Sequence, residues 1–117
     1  TLTRVPFELY RNAAQAEREQ QRIFHGPTWN YLCLEVELPQ GGSWRTTFVG
    51  ETPVVVVKDD DGEIYAFENR CAHRGNMLCI EKHGREKYFT CTYHGWVYDL
   101  AGNLKDVPYP GGFKKDK

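Results

Sequence analysis

The chain has 117 residues, of which 40% are apolar and 26% charged, and its formal net charge is −1. A chain of this size buries roughly two thirds of its unfolded surface, enough for a single core. The near-neutral balance gives no electrostatic attraction to nucleic acid or an anionic membrane, and no apolar run approaches membrane length, so a small molecule or another protein is the expected partner.

The chain opens at Thr1 without Met, which leaves room for a leader removed in processing. Pro6 marks a helix start, and residues 7–24, rich in Glu, Gln, Ala and Arg, predict one helix that Gly26 and Pro27 stop. Residues 29–38 alternate, with Trp29, Tyr31 and Cys33 on one face and Leu32, Leu34, Val36 and Leu38 on the other, which predicts a strand. A turn at residues 39–42 leads to strands at 46–49 and 53–58, and Asp59, Asp60, Asp61 and Gly62 make a tight hairpin into 63–68. Strands at 87–91 and 96–100 flank a second loop, and a turn at 101–103 starts a last short strand. From Pro108 onward, Pro, Gly and Lys give the tail the composition of a linker.

Two loops carry the chemistry. Cys71 is followed by His73, and Cys91 by His94, so each loop offers one thiolate and one imidazole. Zinc fingers usually put both Cys in one cluster and both His in the other. Mixed loops can instead give both thiolates to one metal ion and both imidazoles to a second, as in a Rieske [2Fe–2S] centre. Cys33 and Cys79 fall outside the motif and read as buried free thiols, which fits a reducing cytoplasm. His25, beside Gly26 at the helix end, reads as a capping or surface residue, and His83 as solvated. Trp96 reads as an apolar shield. Arg70, Arg74, Lys82, Arg85 and Lys87 form a basic rim that an acidic electron donor could use.

The runs Cys71-Ala-His73-Arg-Gly75 and Cys91-Thr-Tyr-His94-Gly-Trp96 resemble the two loops of the Rieske domain in the large (alpha) subunits of bacterial aromatic-ring-hydroxylating dioxygenases. Residues 24–32 and 48–56 are similar to the N-terminal part of those subunits. The resemblance implies a mainly β fold, a Rieske-type antiparallel sandwich with the cluster loops at its tip and an N-terminal helix. It divides the chain into a helical segment at 1–28, a Rieske [2Fe–2S] domain at 29–108, and a linker at 109–117 toward a catalytic domain outside these residues. It also implies that Cys71, His73, Cys91 and His94 bind the cluster. The cluster would take electrons from a ferredoxin or reductase and pass them to a mononuclear iron that hydroxylates an aromatic ring, in the catalytic domain of its own or a neighbouring subunit of an oligomer. The stretch 29–57 looks most like oxygenases of aromatic carboxylates. Two other readings stand beside this one, a stand-alone Rieske ferredoxin and a structural zinc module. The N-terminal helix speaks against the first, and colour separates the second, because Zn²⁺ has no visible absorption.

Replacing two thiolates by neutral imidazoles makes a centre less negative, and it accepts an electron more readily than an all-Cys cluster. Reduction adds negative charge that favours protonated imidazole, so electron and proton affinities at His73 and His94 are coupled. In the Rieske proteins of respiratory chains each loop carries a further Cys, the two forming a disulfide, and a Ser follows the second His-Gly. Motif alignment puts Asn76, Tyr93 and Trp96 at those positions, so a low potential within the Rieske range is expected. Tyr98 matches a hydroxyl that donates to a ligand sulfur in that family.

Overall fold

The computed structural model describes residues 3–112. The stretch expected to be one helix is divided into a 3₁₀ turn at Phe7–Tyr10, helix α1 at Ala13–Glu19 and a π turn at Gln20–Phe24. Asn12 causes the break. Its backbone is extended and its side chain accepts the Gln15 N–H at 3.1 Å, so it caps a new helix rather than continuing an old one. None of these turns buries a residue. Polar contacts tie them to the sheet instead: Gln20 Oε1 accepts the Glu51 N–H at 3.3 Å, and His25 Nε2 lies 2.7 Å from Thr52 Oγ1.

Residues 29–38 are not a strand. Residues 28–34 join no strand ladder, and Glu35–Glu37 form a 3₁₀ turn. Glu37 reaches back to accept the Leu34 N–H at 2.7 Å and also holds Arg45 Nη1 at 2.8 Å. The neighbours Leu32 and Cys33 both pack on the core formed by Leu38, Val54 and Val56, whereas Trp29, Tyr31, Leu34 and Val36 are exposed. The segment therefore crosses the face of a sheet, and a chain lying over a face has no ladder to join.

That sheet is antiparallel, with strands β1 (Ser43–Val49), β2 (Thr52–Lys58), β3 (Ile64–Glu68) and β4 (His83–Arg85) in the order β3-β2-β1-β4. The hairpin between β2 and β3 is the expected one, since Asp59 Oδ1 accepts the N–H groups of Asp61 and Glu63. A second sheet holds β5 (Phe89–Thr90), β6 (Val97–Tyr98) and β7 (Leu104–Asp106) in the order β5-β6-β7. Cross-strand register puts Trp44, Val55, Val57 and Phe67 on one face of the first sheet, where they meet Phe89 and Tyr98 from the second and Leu100 from the turn after β6. Phe89 packs edge-on against Trp44 and Phe67, at centroid distances of 6.2 and 5.7 Å. The architecture is thus mainly β with two antiparallel sheets, as expected.

Strand β4 has no apolar signature. It forms because Gly84 pairs opposite Trp44, and a Cβ at residue 84 would lie 2.6 Å from the indole. The tail beyond Gly112, part of the expected linker, lies outside the described residues. No helix among the described residues is long and apolar enough to cross a membrane.

Asn69, just past β3, is fully buried. Its Oδ1 accepts the N–H groups of Leu78 and Cys79 at 3.0 and 2.9 Å, and its Nδ2 donates to the Cys79 carbonyl at 2.7 Å. It thereby fastens the return arm of the loop that begins at Cys71. Asn69→Ala strands these backbone groups without water, at about 1–3 kcal/mol for each unpaired group. A urea titration should show a loss of about 3 kcal/mol or more in total; a loss below about 0.5 kcal/mol would show that the return arm does not depend on Asn69.

Candidate metal centre

The two Cys-His loops share one backbone frame. In the first, the Cys71 carbonyl accepts the Gly75 N–H at 2.8 Å and the Cys71 N–H donates to the Asn76 carbonyl at 2.7 Å. In the second, the Cys91 carbonyl accepts the Gly95 N–H at 2.9 Å and the Cys91 N–H donates to the Trp96 carbonyl at 2.8 Å. Both closing glycines have φ of +74°, a left-handed conformation that other residues adopt only at a cost. The first loop follows β3 and is anchored where Asn69 binds its return arm, and the second is the turn between β5 and β6.

This frame collects the four predicted donors. Cys71 and Cys91 are buried in the same core as Phe89 and Val55. Their imidazole counterparts face each other across the loops, with His73 Nδ1 3.1 Å from His94 Nδ1 and the rings nearly perpendicular. At this separation each ring aims its Nδ1 at the gap between the loops. His73 is exposed and His94 half-buried. The site thus has a dry sulfur floor and imidazoles open to solvent.

The surroundings separate the cysteines. Burial pushes the Cys91 thiol up, but the backbone N–H groups of Tyr93 and His94, with the Cys71 and Asn76 side chains, outweigh it and hold Cys91 below the ordinary thiol value. Asn76 Nδ2 points at Cys91 Sγ from 3.8 Å. Cys79 goes the other way, pushed up to about 12 by burial and by Glu86, and Cys33 is raised by burial and by Glu37. No disulfide forms among them. Cys79 is a buried thiol, as expected, and Cys33 is half-buried.

Tyr98 Oη lies 3.2 Å from Cys71 Sγ and accepts the Ala72 N–H at 3.0 Å, which leaves its proton free to donate to the sulfur. Burial and the Cys71 sulfur push its pKa up to about 12, so it stays a donor at neutral pH. His94 is lowered by desolvation, by His73 and by Arg74, which favours the neutral imidazole a metal requires.

The remaining sequence candidates are dispersed. His25 lies at the end of the π turn, bonded to Thr52, and His83 is exposed on β4. Of the basic rim, Arg70 pairs with Glu68 at 3.2 Å, Arg85 donates to the Gly41 carbonyl, and Arg74 lies over the Tyr93 ring. Trp96 stacks on His73 at 4.6 Å and 14°. Sequence reasoning missed Asn69 as a support and Asn76 as a sulfur donor; a polar side chain beside a ligand loop is the available signal.

The donor set fits a two-iron cluster. Two buried sulfurs can serve one iron and two facing Nδ1 atoms the other. A single tetrahedral ion needs at least three such donors around one point, and among the described residues no three Cys, His, Asp or Glu are so placed. The left-handed glycines also make a direct prediction. Gly75→Ala and Gly95→Ala should each lower stability by about 1–2 kcal/mol. Gly95→Ala should cost more, because its Cβ would meet Pro108 Cγ at 3.3 Å while residue 75 has only Arg70 at 3.8 Å. Denaturant midpoints check this, and equal or negligible shifts would refute the loop-closure account.

Comparison with known proteins agrees with the geometry. A family model of the Rieske [2Fe-2S] domain matches residues 28–115. The chain is 58% identical over 114 residues to a terephthalate 1,2-dioxygenase terminal oxygenase component, subunit alpha 2, from Comamonas, covering 97% of this chain and 28% of the relative. It is 48% identical to the anthranilate 1,2-dioxygenase large subunit of Burkholderia cepacia, covering 96% of this chain and 26% of that one. A solved naphthalene 1,2-dioxygenase bound to phenanthrene superposes with a TM-score of 0.80 at 34% identity, over 85% of this chain and 22% of that chain. The chain thus spans about a quarter of the length of the curated relatives it matches. The folded frame, the donor set and these matches agree that the chain belongs to the Rieske [2Fe–2S] domain family, of the kind carried by aromatic-ring-hydroxylating dioxygenase alpha subunits.

Proposed function

We propose that Cys71 and Cys91 hold one iron and His73 and His94, through Nδ1, the other iron of a [2Fe–2S] cluster. The domain then serves as the electron-transfer part of a terminal oxygenase. The observation that carries this reading is the pair of Nδ1 atoms 3.1 Å apart, beside two buried sulfurs. The cluster supplies reversible one-electron chemistry. The protein holds the sulfurs away from water, presents the imidazole edges to a partner, and stabilises negative charge on the sulfurs through Tyr98 and Asn76.

In this reading a ferredoxin or reductase donates the electron. The acceptor would be a mononuclear iron in a catalytic domain, of the same or a neighbouring subunit, where O₂ is the oxidant that hydroxylates an aromatic ring and the delivered electrons complete its reduction. Residues 29–108 form the cluster domain, 1–28 a helical segment, and 109–117 lead toward the catalytic domain. The free cysteines fit a reducing cytoplasm. The names of the terephthalate and anthranilate relatives support an aromatic carboxylate as substrate and an assembly of several subunits.

Ligand substitution tests the assignment. Purified Cys91→Ser or Cys71→Ser protein should lack iron and sulfide, whereas Cys33→Ser and Cys79→Ser should keep both; a Cys91→Ser protein with full iron and sulfide would overturn it. Tyr98→Phe tests the tuning. Losing a hydrogen bond to a charged acceptor, worth about 1.5–3 kcal/mol, should lower the one-electron potential by at most about 65–130 mV at roughly 59 mV per tenfold. An unchanged or higher potential in an intact cluster would reject the role given to Tyr98. Residues 1–117 alone, loaded and reduced, should cycle one electron and hydroxylate nothing, and turnover of an aromatic carboxylate would break the proposed division of labour.

A further inference from the structure

Five side chains stand in one row across the two loops, in the order Arg74, Tyr93, His94, His73, Trp96. The Arg74 guanidinium carbon lies 5.8 Å from the centre of the Tyr93 ring, Tyr93 meets His94 at 3.8 Å, the imidazoles are 4.6 Å apart, and His73 stacks on Trp96 at 4.6 Å. The row changes loop three times, because Arg74 and His73 belong to the first loop and Tyr93, His94 and Trp96 to the second. We propose that this row is a positioning device for the imidazoles, in which Trp96 fixes the ring of His73 and Arg74, acting through Tyr93, fixes the ring of His94.

The need for such a device follows from the imidazole side chain. Turning the ring about χ2 replaces Nδ1 by a carbon, and the terminal torsion of His has a broad, weakly restricted well. A flat neighbour against one ring face removes that freedom. His73 has Trp96, nearly parallel at 14°. Among the described residues the ring set toward a face of His94 is Tyr93, tilted by 41° and next to it in the chain. Tyr93 is exposed and sits on the same loop, so it cannot steady His94 unless something outside the loop steadies Tyr93.

Arg74 supplies that outside hold. Arg70, four residues earlier, pairs with Glu68, but Arg74 takes part in none of the ion pairs among the described residues and lies over the Tyr93 ring from the opposite loop. Asn76 adds a second link of the same sense, donating to Thr92 Oγ1 at 3.4 Å. The loops are thus tied by two contacts besides the imidazole pair.

The inference rests on His73 and His94 being iron ligands, and the experiment keeps the two ideas apart. In the full-length protein carrying its cluster, iron release to a chelator is followed by loss of visible absorbance, and the reduced cluster is examined by electron paramagnetic resonance. Tyr93→Leu and Arg74→Gln should each speed release about two- to fivefold and broaden the resonance. Tyr93→Phe, which keeps the ring face, should behave as the parent. Adding Arg74→Gln to Tyr93→Leu should have no further effect, since Arg74 acts through the ring.

Parent-like release and resonance in Arg74→Gln would overturn the proposal. So would additive effects in the double variant, or a Tyr93→Phe protein as fast as Tyr93→Leu. Should Tyr93→Leu fail to fold, Arg74→Gln and Tyr93→Phe still decide, because both are conservative changes at exposed positions. Failure of the ligand assignment has a different signature: the parent protein itself would then show no nitrogen couplings from two imidazoles.

Discussion

The closure of each loop by a left-handed glycine four residues after its cysteine is the constraint on which the rest of the centre depends. With Gly75 and Gly95 at the same φ, both loops fold back on their own cysteine and present it at the same place in the frame. The histidines need not occupy equal positions. His73 follows its cysteine by two residues and His94 by three, and this offset lets the rings approach from different rungs and meet at Nδ1. An L-residue at either closing position resists the conformation by about 1–2 kcal/mol.

The frame is only as firm as its footing. The second loop is the turn of a short hairpin, β5 and β6, whose residues Phe89 and Tyr98 lie in the core between the sheets. The first loop has no return strand of its own next to it, and Asn69 substitutes for one by binding three backbone groups. Both cysteines consequently belong to the same core as the sheet residues. Burial there raises a thiol unless donors compensate, as the contrast between Cys79 and Cys91 shows. The same core that stabilises the fold therefore decides which sulfurs are fit to become thiolates.

Hydrogen bonding to the sulfurs is richer than motif alignment suggests. The disulfide and the hydroxyl of respiratory Rieske proteins are replaced at the aligned positions, and the alignment alone predicts a sparse set of donors. Tyr98, the donor the alignment does supply, reaches Cys71 Sγ, and Asn76, at one of the substituted positions, adds another by turning its amide toward Cys91 Sγ. The substituted positions also contribute Tyr93 and Trp96 to the ring row. Where one branch of the family uses a covalent link between loops, this chain uses polar and aromatic contacts in the same region.

The sequence by itself supplied the candidate donors, because two thiols and two imidazoles in mixed pairs restrict the metal chemistry they can support wherever the chain folds. It also determined the hairpin at Asp59, whose side chain makes the turn locally, and the strand at Val54, Val55 and Val56. Residues 29–38 defeated the pattern, since alternating apolar residues look alike whether a segment joins a ladder or lies across a face, and only contact with Val54 and Val56 separates the two. Strand β4 was invisible because its cause is Trp44, some forty positions away, stacked on Gly84. The roles of Asn69 and Arg74 were likewise decided by tertiary structure alone. A side chain's chemical type is written in the sequence, but its partner across two loops depends on long-range closure that no local signal encodes.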